Sequence, residues 1–216
     1  MKVVVFGATG KLGGHLLSQG LARGHAITVL VRDPSQLAPQ PGLVVLRGDV
    51  LDPASVAASV AGQDAAVWAV GGHDAMRTRL KRETRQPHLC SQGTGNVLAA
   101  MDRHGVRRLV AVTSWGLGDG ARRVPAAYRW LVFPLLLRDE NQDKQQQEEL
   151  IRASQLDWTI VRPSRLTDRP ATGRYQVGTR LRYAAAASIA RADLAAFLLD
   201  QLDDPAATRR VVEITQ

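Results

Sequence analysis

Short apolar runs alternate along the chain with longer segments of helical periodicity. The first run, residues 3–6, contains no polar residue, which is typical of a parallel strand buried on both faces. Six further strands are predicted at residues 27–31, 44–46, 65–70, 109–112, 158–161 and 211–214. Helical patterns lie between most of them. This alternation predicts an α/β fold: a single doubly wound domain over residues 1–216, with a mainly parallel seven-stranded sheet and helices on both faces.

Some features refine this prediction. Asp52 and Pro53 suit the cap and first position of a helix. Gly93 and Gly95 lie inside a predicted helix, where we expect it to pack tightly on the sheet. Residues 115–140 are hard to assign, and residues 164–183 are rich in Gly, Arg and turn formers. We expect both segments to be small additions on the substrate side of the domain.

A glycine-rich turn joins the first predicted strand to the first predicted helix. Its residues are Gly7, Ala8, Thr9, Gly10, Lys11, Leu12 and Gly13. Gly7 can make the tight turn, Gly10 lets a pyrophosphate approach the main chain, and Gly13 lets helix and strand pack closely. The free N–H groups and positive dipole of the helix then face the phosphates. We therefore predict a dinucleotide-binding Rossmann domain; a purely structural turn is the alternative.

The end of the second strand indicates which dinucleotide binds. An NAD site usually carries an acidic residue there, whereas this strand ends at Arg32, followed by Asp33. A guanidinium can form forked hydrogen bonds with a 2′-phosphate, so we predict NADP(H). We expect Asp33 to point to the opposite face and cap the next turn. Arg32 as a solvated side chain is the alternative.

Further cofactor contacts are expected where other strands end. Asp49 and Val50 follow the third strand and are placed to contact adenine, although Asp49 also suits a turn. Val70, Gly71 and Gly72 follow the fourth strand and are placed beneath the ribose and pyrophosphate; a plain bend is the alternative for the two glycines.

Charge and composition narrow the ligand class. Lys+Arg 28 against Asp+Glu 20 gives a net charge of +8, which suggests an anionic ligand, although solvated arginines explain part of it. Aromatic residues make up 5%, and no basic run is interleaved with stacking residues, so nucleic acid is not expected. The longest apolar run, residues 130–137, contains Pro134 and is too short to span a bilayer. Histidine spacing indicates no metal site.

The sequence constrains the compartment and the assembly of the protein less than it constrains the ligand class. No secretory signal precedes the first strand, and the lone Cys90 cannot form an internal disulfide. We therefore expect a cytoplasmic protein; a monomer and a homodimer both remain open.

Several motifs together resemble the atypical short-chain dehydrogenases, including NmrA-like NADP-binding proteins, and most of all the biliverdin reductase B or flavin reductase (NADPH) group. The motifs are residues 7–10, 29–33, 48–50, 61–65, 104–106, 113–114 and 172–175. The resemblance implies a Rossmann domain, NADPH, and hydride delivery to a flavin or bilin. It places Thr113 and Ser114 beside the nicotinamide, and Pro163, Ser164 and Arg165 in the segment after the sixth strand. Lys144 takes the place of a histidine near the nicotinamide.

The catalytic prediction rests partly on a missing motif. Typical short-chain dehydrogenases supply a proton through Tyr-x-x-x-Lys, but no tyrosine here has a lysine four residues later. A flavin or quinone-like acceptor needs mainly positioning, so we predict an NADPH-dependent reductase of a planar acceptor; a catalytically silent NADP(H) sensor or scaffold is the alternative. Ser114 and Lys144 are the candidate catalytic residues. Ser114 also suits a strand-end cap, and Lys144 also suits a solvated charge set with Asp143, Glu148 and Glu149.

Two further groups of residues are predicted to contact the substrate. Residues 128–137 are placed to line a flat aromatic ligand, with core packing as the alternative. Arginines are placed to flank an anionic group such as a flavin phosphate, with a solvated loop as the alternative; they are Arg165, Arg174, Arg180 and Arg182.

Overall fold

The computed structural model describes residues 1–71, 88–118, 120, 138–182 and 186–216. Within these ranges the strands are β1 (Lys2–Phe6), β2 (Ala26–Val31), β3 (Leu43–Arg47), β4 (Ala65–Trp68), β5 (Arg108–Val112), β6 (Asp157–Pro163), β7 (Arg165–Thr167), β8 (Gln176–Gly178), β9 (Ser188–Ala190) and β10 (Arg210–Thr215). The α-helices are α1 (Lys11–Ala22), α2 (Pro53–Val60), α3 (Leu89–His104), α4 (Arg138–Ala153) and α5 (Arg191–Asp203). Short 3₁₀ helices occupy Pro34–Gln36 and Pro205–Ala207.

Eight of these strands form one sheet in the order β3-β2-β1-β4-β5-β6-β10-β8. Neighbours are parallel except for β10 and β8, which are antiparallel. All seven predicted strands are present and parallel. The predicted number is wrong by one, because β8 extends the sheet, and β7 and β9 form a separate parallel pair. Each of the three missed strands has three residues, which is too short for a periodic signal.

Helices cover both faces of the sheet, as predicted. Helix α1 packs beside α5 on one face, and α2, α3 and α4 pack side by side on the other. Strand β1 contributes to both cores: Val3 and Val5 belong to one, Val4 and Phe6 to the other. All four are buried, which explains why this strand has no polar alternation.

The predictions for the Asp52 cap and for the two glycines inside α3 are confirmed in part. Asp52 accepts hydrogen bonds from the N–H groups of Ala54 and Ser55 at the start of α2. Gly93 packs tightly as expected, because a Cβ there would lie 2.6 Å from Cη2 of Trp68. The same expectation is wrong for Gly95, where a Cβ would meet nothing within 4 Å. One α3 glycine therefore serves packing and the other does not.

The strand order reverses between β1 and β4. From β1 the chain continues to β2 and β3, and it then returns to β4 on the opposite side. In open α/β sheets, ligands bind in the crevice outside the carboxyl ends of strands at such a switch point. Gly7, directly after β1, and Ala69, directly after β4, meet at this point of the sheet.

Candidate cofactor-binding and active site

The turn after β1 has a backbone that requires glycine at two positions. Gly7 has φ +91°, and a Cβ there would lie 2.7 Å from the carbonyl carbon of Ala69. A Cβ on Gly13 would lie 2.2 Å from the carbonyl oxygen of Gly7. Neither obstacle is the end of a flexible side chain, so the turn, β4 and α1 can approach this closely only without side chains. The roles predicted for Gly7 and Gly13 fit this geometry.

The start of α1 has backbone N–H groups that no side chain caps. Gly10 is the cap residue and makes no side-chain capping bond, and a Cβ there would meet only the Gly7 carbonyl oxygen, at 3.3 Å. The first N–H groups of an α-helix, here those of Lys11, Leu12 and Gly13, have no partner within the helix. Thr9, Gly10 and Lys11 are exposed. This cradle fits a pyrophosphate, which would accept hydrogen bonds and meet the positive end of the helix dipole.

A charged cluster lies beside this helix start. Nζ of Lys11 contacts Oδ2 of Asp168 at 2.5 Å, and Arg191 pairs with the other oxygen of the same carboxylate. The hydrogen bond from Lys11 is the largest cause that holds the pKa of Asp168 below its ordinary value. The contact shows that the segment after β6 lies against the glycine turn. Sequence reasoning missed Asp168, because 157 residues separate it from Lys11.

The adenosine end of the crevice carries two arginines. Arg32 is exposed directly after β2, and Arg47 is exposed at the end of the neighbouring β3. Asp33 caps the following 3₁₀ helix, as predicted, by accepting from the N–H and Oγ of Ser35. The Ser35 hydroxyl is the first cause that lowers the pKa of Asp33. Its carboxylate is thus engaged locally, and Arg32 remains the candidate partner for a 2′-phosphate.

Some of the residues predicted to contact the cofactor after the third and fourth strands are engaged in contacts within the protein. The carboxylate of Asp49 accepts from the N–H of Leu51 at 2.9 Å, which is the turn role given as its alternative. The carbonyl of Val50 accepts from Asn96 at 2.9 Å, and that of Val70 faces the thiol of Cys90 at 3.8 Å. Gly71 is exposed. Gly72 and residues 128–137 lie outside the described residues.

Behind Ser114 lies a buried network built on one carboxylate. Thr113, 4% exposed, donates its hydroxyl to Oε1 of Glu148 at 2.7 Å. Arg162, 1% exposed, donates from Nε to Oε1 at 2.9 Å and from Nη2 to Oε2 at 2.6 Å. The hydroxyl of Thr113 is therefore directed to Glu148. Ser114, the next residue, is half-buried and follows β5 at the carboxyl edge of the sheet.

Lys144 does not belong to a solvated charge set. It is 4% exposed, and Asp143 and Glu148 are also buried, whereas Glu149 alone of that set is exposed. Asp143 instead accepts from the N–H groups of Cys90 and Ser91, at 2.8 Å each, at the start of α3. These contacts hold the first turns of α4, and with them Lys144, against the helix that begins near the end of β4.

The single cysteine is a buried thiol in this region. Desolvation raises the pKa of Cys90 to about 11, with the charge of Lys144 acting in the opposite direction. A neutral thiol is a poor nucleophile, so Cys90 serves packing at neutral pH. The described residues bring together no group of three or more His, Cys, Asp or Glu side chains that could hold a metal ion.

The residues predicted to contact the cofactor after β6 differ in their exposure to solvent. Pro163 and Ser164 are buried, and the hydroxyl of Ser164 donates to Thr215 at 2.9 Å, so this side chain supports β10. Arg165 is exposed at the start of β7. Asp193 accepts from the N–H groups of Thr172 and Gly173, at 2.9 Å each, and fixes this segment to α5. The predicted arginines beyond it are also exposed: Arg174, Arg180 and Arg182.

The fold and the glycine turn define a nicotinamide-dinucleotide-binding Rossmann protein. The chain belongs to the NAD(P)H-binding family, whose model matches residues 7–205. This match confirms the predicted cofactor class, and the reductases among its relatives agree with the predicted oxidoreductase class.

Two relatives show the range of the family. The chloroplastic protein At2g34460 of Arabidopsis thaliana is 34% identical over 184 residues, covering 80% of this chain and 61% of its own. The 3-diazoavenalumate denitrifying reductase of Streptomyces sp is 38% identical over 117 residues, covering 51% of this chain and 37% of its own. The chain thus spans less than two thirds of the length of either relative.

Solved structures share the fold over almost the whole chain. ChuY, an anaerobilin reductase from Escherichia coli O157:H7, is 26% identical with a TM-score of 0.79, covering 99% of this chain and 96% of its own. A short-chain dehydrogenase/reductase from Veillonella parvula in complex with NADP is 18% identical with a TM-score of 0.82, covering 100% of this chain and 94% of its own.

Among the described helices, none has the length and apolar content that a bilayer span requires.

Proposed function

We propose that this protein is an NADPH-dependent reductase that transfers hydride to a flavin or a similar planar acceptor of the flavin, bilin or quinone type. The observation that carries the proposal is the cradle at the switch point. Gly7 and Gly13 leave no room for a Cβ, and residues 9–11 are exposed beside them. A dinucleotide bound there would extend towards Arg32 on one side and Ser114 on the other.

The preference for NADPH follows from charge at the end of β2. Asp33, the acidic residue that would otherwise suit a ribose 2′-hydroxyl, is bonded to Ser35 and Gln36. Arg32 and Arg47 are exposed at adjacent strand ends and offer two guanidinium groups to a 2′-phosphate. Positive charge therefore dominates the place where NADP and NAD differ.

The acceptor class follows from what the described site contains. Reduced nicotinamide supplies the hydride when it is bound, and the chain has no Tyr-x-x-x-Lys to supply a proton. A planar conjugated acceptor delocalises the added charge, so water can protonate it and the protein mainly positions the reactants. Ser114 would orient the nicotinamide or acceptor, and the ammonium of Lys144 would donate to an acceptor oxygen. The similarity to ChuY, an anaerobilin reductase, supports this class.

The direct test mixes purified protein and NADPH with riboflavin, FMN, a bilin or a quinone and follows the absorbance of reduced nicotinamide. Turnover above the protein-free rate is the expected result. Tight NADPH binding without turnover of any of these acceptors would overturn the reductase and favour the silent sensor of the NmrA-like kind.

The cofactor preference has its own test in Arg32→Glu. We expect NADPH affinity to fall more than tenfold, or about 1.4 kcal/mol or more, with little change for NADH. Isothermal titration calorimetry measures both. Arg103→Glu is the matched control, because Arg103 is exposed in the last turn of α3, near the amino ends of the strands. Equal losses for NADPH and NADH would contradict the 2′-phosphate role.

A further inference from the structure

We infer that Glu148 is a positioning residue that fixes the nicotinamide end of the site; this rests on the proposed function. Its two carboxylate oxygens connect three elements at the carboxyl edge of the sheet. Oε1 accepts from Thr113, directly after β5, and from Nε of Arg162 in β6, and Oε2 accepts from Nη2 of Arg162. Glu148 itself lies on α4.

Each partner in this network adjoins a residue predicted to contact the cofactor or substrate. Thr113 directly precedes Ser114, Arg162 directly precedes Pro163, and Lys144 lies one helical turn before Glu148 on the same face of α4. One carboxylate therefore sets the relative positions of Ser114 and Lys144. No sequence motif indicates this link, because 35 residues separate Thr113 from Glu148.

Burial makes the arrangement well defined. Thr113, Glu148 and Arg162 are each at most 4% exposed, so water has little access to replace a lost partner. Arg152 adds a weaker contact, Nη2 to Oε2 at 3.6 Å, from one turn further along α4. Hydrogen bonds to a charged group in such surroundings are short and directional, which restricts how β5 and α4 can shift against each other.

The adenosine end of the site does not share this support. The glycine turn and Arg32 belong to β1, α1 and β2, on the other side of the switch point. Weakening the Glu148 network should therefore affect the nicotinamide half of the dinucleotide and leave the adenosine half unchanged. A general loss of folded structure would weaken both halves together, so the comparison separates positioning from stability.

The test replaces Thr113 by Val, which removes its hydroxyl bond to Glu148 and retains the Arg162 pair. Thr94→Val is the matched control, because Thr94 is 1% exposed and its hydroxyl accepts a hydrogen bond from Gln147, the neighbour of Glu148, at 3.0 Å. Calorimetry measures the affinity for NADPH and for 2′,5′-ADP, which has the adenosine and 2′-phosphate but no nicotinamide. Thr113→Ser keeps a hydroxyl and tests rescue.

We expect Thr113→Val to weaken NADPH by about threefold to tenfold and 2′,5′-ADP by less than about twofold, since one hydrogen bond to a charged group is lost. Thr94→Val should change neither affinity, and Thr113→Ser should restore that of NADPH. Equal losses for the two ligands, or the same effect from Thr94→Val, would overturn the positioning role.

Different results would contradict the proposed function and the positioning role of Glu148. If wild-type protein binds NADPH but reduces no acceptor, the reductase is wrong, whereas the difference between NADPH and 2′,5′-ADP still decides the role of Glu148. Should Thr113→Val unfold, Glu148→Gln provides the second variant, because glutamine keeps the size and an oxygen acceptor but loses the charge. The same selective loss of NADPH is expected from it, and unchanged NADPH affinity would overturn the inference.

Discussion

Lys11 is the first residue of α1 and carries a positive charge at the phosphate-binding turn. In the structure its ammonium group is bonded to Asp168, which also holds Arg191. A pyrophosphate at the helix start would compete with this carboxylate for both cations. Because Lys11 and Asp168 are largely exposed, solvent screens their contact, and the competition is modest.

Removing this competitor should strengthen cofactor binding. We expect Asp168→Asn to raise NADPH affinity by about twofold to fivefold at low ionic strength and by less in concentrated salt, because screening weakens exposed charge interactions. Fluorescence titration of NADPH at two salt concentrations measures this. Asp200→Asn is the control, since Asp200 is paired with Arg23 at 2.7 Å near the other end of α1. A loss of affinity in Asp168→Asn would contradict competition and indicate that Asp168 orders the turn.

Residues differ in how far the sequence could predict their surroundings. Gly7 and Gly13 were predictable, because strand, glycines and helix follow each other directly and the backbone constraint is local. Asp33 was predictable for the same reason, since it caps the adjacent turn. The partners of Glu148 and Asp168 were not, because they depend on which elements the fold brings together over 14 to 157 residues.

Among the elements, α3 has an unusual beginning. Its cap residue His88 has φ 76° and makes no side-chain capping bond. The carboxylate of Asp143, from α4, instead accepts from the second and third N–H groups of that helix, those of Cys90 and Ser91. A neighbouring helix, and not the His88 side chain, thus supplies this cap. The contact joins α3 to α4 as well as satisfying the helix end.

Loss of this cap should destabilise the whole protein. We expect Asp143→Ala to lower the free energy of unfolding by about 1–2 kcal/mol, because two buried N–H groups lose their acceptor. Urea unfolding followed by circular dichroism measures the change. Asp52→Ala removes the exposed local cap of α2 and should cost less, since water can reach the freed N–H groups. Equal effects of the two substitutions would contradict the importance of burial at α3.

Strands were predictable where they have four or more residues and a mainly apolar sequence. The seven parallel strands of the sheet have mainly apolar sequences, and the sequence predicts all of them. Strands β7, β8 and β9 were missed, because three residues carry no periodicity and their pairing depends on distant partners. The start of α4 at Arg138 was not predictable and lies within the hard-to-assign residues 115–140, because the fully polar residues 138–140 give no amphipathic signal.

For the whole molecule, the excess of positive charge is the property that the fold alone does not explain. The net charge is +8, and 24 of the 28 basic residues are arginine. Several exposed arginines lie in the segment between β6 and the end of β8 and just beyond it: Arg165, Arg169, Arg174, Arg180 and Arg182. The segment contains one acidic residue, Asp168, which is already paired. A substrate with an anionic group would be attracted to this side of the molecule.

FMN and riboflavin separate this attraction from recognition of the ring, because they differ by one phosphate. We expect kcat/KM for FMN to fall about threefold or more between low and moderately high salt, and that for riboflavin to change much less, since the Debye length shortens from about 30 Å at 0.01 M to about 10 Å at 0.1 M. Arg174→Gln combined with Arg180→Gln should reduce the salt dependence for FMN. Lys2→Gln combined with Arg103→Gln removes the same charge from exposed sites elsewhere and should leave it unchanged. Parallel salt dependence for the two flavins would show that these arginines do not meet an anionic group of the acceptor.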